Sequence, residues 1–162
     1  MSFLYRFFHR PVEEKKPRKP EKEDLLKKAC EACVVNNQFK EIYYEDLSQS
    51  LFTNPLVALS SLASELKIPE EDPNKVIQCA IELARDYKNK GDFELARYLY
   101  RIVGSLALWI GEVGTVKEAF NEIAVISKNI PGEYPTYPAI RKDPQKAIEI
   151  AKKYYELLEK SR

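Results

Sequence analysis

The chain has 162 residues, 44% of them hydrophobic and 31% charged, and its 26 Lys and Arg nearly cancel 25 Asp and Glu. That length is enough for one domain with a substantial core, and a net charge of +1 argues against a dedicated nucleic-acid binder, which would carry a clear basic excess. One histidine and three cysteines give no disulfide framework and little acid–base or metal chemistry, which suits a reducing, cytoplasmic setting.

Residues 1–23 read as an arm set apart from the rest. Met1 to Arg10 (MSFLYRFFHR) is too short and too basic within its apolar part for a secretory signal. Pro11 to Glu23 has three prolines and almost no apolar residues, which predicts a solvated, flexible linker. Seven Lys and Arg against four Glu give this arm a net charge of +3, and leave residues 24–162 at −2. On a helix, Phe3 and Leu4 would share a face with Phe7 and Phe8 one turn later. Three destinations stand open for these four side chains: a partner protein, the chain's own body, or the surface of an anionic membrane.

From Asp24 onward, apolar residues recur at spacings of three and four, the mark of amphipathic helices, and no period-two strand stands out. Seven helices are expected in an all-α domain. The first carries Leu26, Ala29, Cys30, Cys33 and Val34; the second, less regular, carries Ile42, Tyr43, Leu47 and Leu51. Asn54-Pro55 opens the third, with a stripe of Leu56, Leu59, Leu62, Ala63 and Leu66. Asp72-Pro73 opens the fourth, which bears Val76, Ala80, Leu83, Ala84 and Tyr87 and ends at Gly91-Asp92. The fifth, from about Phe93 to Ile110, is apolar on most sides in its second half and should be the most enclosed. Thr115 with Glu118 reads as a capping box for the sixth. A loop from Pro131 to Pro144, with Tyr134 and Tyr137, leads to the seventh, marked by Ala147, Ile150, Ala151, Tyr154, Leu157 and Leu158. Those loop tyrosines serve either packing or surface contact, and burial is the usual fate of large aromatics.

Asp72 to Ile77 (DPNKVI) is echoed by Asp143 to Ile148 (DPQKAI) at an offset of 71 residues. Two helices opened by the same capping chemistry would look alike without common descent, and the offset is also near two units of roughly 34 residues. Within residues 76–109, the series Ala80, Leu83, Ala84, Tyr87, Gly91-Asp92-Phe93, Ala96 and Tyr100 resembles one tetratricopeptide repeat, and is also similar to microtubule-interacting-and-transport modules. The small Ala84 and Ala96 would let two antiparallel helices approach closely, and Gly91 would allow a tight turn. The proline that closes such a unit is missing here. The resemblance implies a TPR-like helical bundle or short right-handed superhelix, with a groove that binds a protein or peptide partner. Its groove-facing positions would be Gln78, Ile81, Arg85, Lys88 and Asn89, whose basic character suits a carboxylate-bearing segment. Read without the resemblance, Arg85 and Lys88 are simply solvated charges on an outer face.

Catalytic signals are sparse. Cys30 and Cys33 with Cys79 and His9 could be counted as four zinc ligands, but the first two lie on one apolar helical face, where Cys packs as a small hydrophobe. There is no Gly-rich phosphate loop, and Glu70, Glu71 and Asp72 suit a helix N-terminus. The composition, rich in Lys and Glu with a single Met, is like that of proteins from hot environments. The expectation is a non-enzymatic interaction module, an adaptor or subunit, without cofactor or metal. The alternative is a peripheral membrane protein held by its arm.

Overall fold

The structure, a computed structural model, describes residues 21–51, 55–69 and 72–161, with the side chain of Leu51 left out. Phe3, Leu4, Phe7, Phe8 and His9 of the arm lie outside the described residues, as do Asn54, Glu70 and Glu71. The described residues form eight helices and no strand: α1 Lys22–Cys33, α2 Asn37–Leu51, α3 Pro55–Leu66, α4 Pro73–Asn89, α5 Phe93–Ile110, α6 Val113–Ser127, α7 Pro138–Lys142 and α8 Pro144–Lys160. The domain is all-α. The short α7 is an addition to the seven helices read from periodicity: five residues hold too few turns to show a period.

Local chemistry accounts for most of the boundaries. Asp72 accepts from the Lys75 N–H at 3.1 Å and Asp143 accepts from the Lys146 N–H at 3.0 Å, each with a proline in the first turn behind it. The two helices therefore satisfy one otherwise orphaned N–H by the same device. The expected capping box of α6 does not form. Gly111, at φ +81°, closes α5 in the left-handed region, and α6 begins at once after Glu112, which places Thr115 inside the first turn. Glu118 turns outward to an ion pair with Arg85.

Helix α5 is the hub. It touches α2, α3, α4, α6 and α8, and every residue from Ile102 to Leu108 is buried. Ala84 of α4 and Ala96 of α5 are both fully buried, so these consecutive antiparallel helices lie close together. Helix α1 packs mainly on α8, which joins the two ends of the described chain. Some positions assigned to the core lie outside it: Leu56 is half exposed and Ala58 takes its place on the buried side of α3, while Ile42 faces outward from α2.

The contact between α5 and α6 is close at Gly104. A β-carbon there would stand 2.8 Å from the ring of Phe120, which is fully buried and meets Tyr137 edge to face at a centroid distance of 4.9 Å. Gly104→Ala gains about 1 kcal/mol of helix propensity but forces a locked ring to move, an overpacking cost of roughly 1–3 kcal/mol. Thermal unfolding of G104A should therefore show a melting temperature several degrees below that of the parent chain; an unchanged or higher value would mean the ring has room to yield.

Candidate functional site

The α4 face offers little to a ligand as it stands. Gln78 and Asn89 are exposed, but Ile81 is buried in the core. Ile81 is therefore corrected from a groove contact to a packing residue, because its side of α4 is covered by the neighbouring helices. Arg85 reaches Glu118 at 2.5 Å and Lys88 reaches Glu122 at 2.7 Å, so both cations bridge α4 to α6. The exposed Arg85–Glu118 pair contributes about 0–1 kcal/mol. An incoming carboxylate would have to displace one that is already in place.

A cleft of about 810 Å³ opens elsewhere, between the α1–α2 corner and the segment from Pro135 to Lys146. This is within the size range of pockets that enclose a small ligand or a few side chains. One wall begins where α1 ends: Val34 adopts an extended conformation, and Asn36 accepts from the Gln38 N–H at 3.1 Å to start the next helix. Helix α2 then buries Tyr43, Asp46 and Leu47, and leaves Phe39 and Ile42 each more than 40% exposed along the cleft. Val35, at the corner, is wholly exposed. The Lys142 ammonium lies 5.5 Å from the centre of the Phe39 ring, close enough for a cation–π contact across the mouth.

The opposite wall is held by Asp46. A single oxygen of its carboxylate accepts the N–H groups of Ala139 at 2.7 Å and Ile140 at 3.1 Å, which ties α2 to the first turn of α7. Burial pushes this carboxyl above its ordinary value, against the opposing pull of the two N–H groups. Tyr137, just before α7, is held at φ +52°, a left-handed conformation that costs a non-glycine residue about 1–2 kcal/mol. Its ring is buried against Phe120 of α6, which offsets that cost and settles the role of this loop aromatic as packing. Tyr134, the other loop aromatic, is half-buried beneath the Arg97 guanidinium, whose centre lies 3.7 Å from its ring. The Tyr43 hydroxyl donates to the carbonyl of Asp143 at 3.4 Å, and burial raises its pKa to about 12, so it remains a protonated donor.

The cysteines are quiet. Cys30 is fully buried and its thiol is pushed up to about 12 by desolvation, while the half-buried Cys33 directs its thiol toward the Glu149 carbonyl at 3.8 Å. Burial also raises the Cys33 thiol, so neither is a thiolate at neutral pH. Among the described residues no cluster of three or more His, Cys, Asp or Glu is placed to hold a metal ion, and no helix is long and apolar enough to cross a membrane. Fold and site together define an all-α domain with a largely apolar cleft. Comparison with protein-family models, with curated proteins and with solved structures finds no match to the chain.

Asp46 provides a test of how the cleft is built. Asp46→Ala leaves two buried N–H groups without an acceptor and should cost about 2–4 kcal/mol in urea unfolding at pH 7, while Asp46→Asn keeps an acceptor oxygen and should cost far less. Because the folded-state pKa is raised, the native chain binds the extra proton. Stability of the parent relative to D46N should therefore rise as pH falls through the folded-state pKa and level off below the ordinary 3.8. A relative stability that falls over that window would show that the two N–H groups dominate instead.

Proposed function

We propose that this chain is a non-enzymatic protein-interaction module, an adaptor or subunit, that receives an apolar segment of a partner protein in the α1–α2 cleft. The observation that carries this reading is the row of Val35, Phe39 and Ile42, large apolar side chains left in solvent along a cleft with a fixed opposite wall. Apolar anchors seated in preformed pockets supply most of the binding energy of short peptide segments. The ring of Phe39 beneath Lys142 and the carboxylate of Glu45 at the same cleft add polar register points for the incoming chain. The TPR-like resemblance of α4 and α5 supports the same class of function, with those two helices as scaffold. Arg85 and Lys88, engaged with Glu118 and Glu122, form a weaker second contact on this reading.

Selection of phage-displayed random peptides on the purified chain tests the proposal. Enriched sequences should carry aromatic or branched apolar residues at helical spacing. Ile42→Asp, at a surface position, should weaken their binding tenfold or more, which corresponds to at least about 1.4 kcal/mol. Arg85→Ala should leave it within about twofold, as expected of an exposed pair. Peptides indifferent to I42D would remove the cleft as a docking site.

A further inference from the structure

We propose that the resting occupant of the α1–α2 cleft is the chain's own N-terminal segment, residues 3–8, which a partner must displace. This rests on the cleft being a docking site, as proposed above, and adds the identity of what fills it. Three independent features of the sequence and structure converge on it.

The first is shape and polarity. Phe3, Leu4, Phe7 and Phe8 are four large apolar side chains at the spacing of one helical face. The cleft presents Val34, Val35, Phe39 and Ile42 to a segment of that kind. Apolar surface on both sides is removed from water by the same contact, at about 25 cal/mol per Å².

The second is reach. The described chain begins at Glu21, directly before α1, and the cleft lies at the other end of that helix, beside Cys33 and Val34. Twelve helical residues span about 18 Å. The 12 residues from His9 to Pro20 can extend to about 37 Å even in the semi-rigid polyproline form that Pro11, Pro17 and Pro20 favour. The tether can therefore return along α1 with length to spare.

The third is charge. Arg6, His9 and Arg10 punctuate the apolar segment. The cleft carries Glu45, Asp46 and Asp143 against Lys142 and Lys146. Asp46 is committed to two backbone N–H groups, Lys146 is paired with Glu149, and Lys142 lies over Phe39. Glu45 has no ion-pair partner among the described residues, and Asp143, one oxygen of which caps α8, has none either; the two meet a cationic segment. Tethering places the segment near the cleft at an effective concentration in the millimolar range, so a modest intrinsic affinity is enough to keep it seated.

The test uses the full chain and a synthetic peptide of residues 1–10. In the parent chain, Ile42 methyl protons should show nuclear Overhauser contacts to the rings of Phe7 and Phe8, distinct from those to the neighbouring Phe39, whose intensity is independent of protein concentration. Phe7→Ser with Phe8→Ser should abolish them and shift the Val34, Val35 and Ile42 methyl resonances. The added peptide should bind that double variant at least about tenfold more tightly than it binds the parent, because the competitor is gone. Equal affinity for both, or unchanged methyl resonances, overturns the proposal. Contacts that grow with concentration also overturn it, in favour of exchange between copies. Library-selected peptides that bind the double variant while the 1–10 peptide does not would sink the self-docking and leave the cleft's wider role standing. If neither binds, both readings fall.

Discussion

A carboxylate oxygen of Asp46 accepts two N–H groups from residues more than ninety positions away, at 2.7 and 3.1 Å, and that junction decides what kind of surface the molecule has. Without it the first turn of α7 would have two buried donors and no acceptor, a burden of a few kcal/mol in a domain whose whole stability is of order 10 kcal/mol. With it, the segment from Pro135 to Lys146 is fastened against α2, and the space between them becomes a cleft with a fixed wall. Tyr137 is part of the same fastening. Its left-handed backbone is tolerated because its ring fills the space beside Phe120, which in turn lies against the bare backbone of Gly104. From α5 outward, one chain of contacts runs Gly104, Phe120, Tyr137, α7, Asp46.

This arrangement explains why the open apolar cleft falls on α2 and not on α4. Helix α4 has a strong apolar face turned mainly against α3 and α5, while its Arg85 and Lys88 are taken by α6. Helix α2 has a weaker face: Tyr43, Asp46 and Leu47 point inward, and Phe39 and Ile42 are left over. A helix with more apolar side chains than the core can accept is where a second chain, or a distant part of the same chain, finds something to cover.

The helices were legible in the sequence wherever capping chemistry and period coincided. Asp72-Pro73 and Asp143-Pro144 opened helices as their residue types require, and the apolar run after Phe93 marked the buried hub. The start of α6 was misread because Thr115 and Glu118 have capping-box spacing, while Gly111 had already reversed the chain two residues before the helix begins. Helix α7 gave no period to read. The site was less legible still. The irregular apolar spacing of α2 was the one available signal for the cleft, since a stripe that fits no single face leaves side chains outside. The opposite wall depends on pairings across more than ninety residues, which local pattern cannot encode. On α4, charge alone could not reveal that Arg85 and Lys88 had partners 33 and 34 residues further along.

The central claim is that α7 is a fixed wall, present before any ligand arrives. Hydrogen exchange at the Ala139 and Ile140 amides measures this directly. With Asp46 as acceptor, these two amides should be protected nearly as well as those in the middle of α5, despite lying at the start of a five-residue helix. Exchange at the rate of an open loop, in a chain whose α5 amides stay protected, would mean that the wall forms only on binding and that the cleft is not a standing feature of the fold.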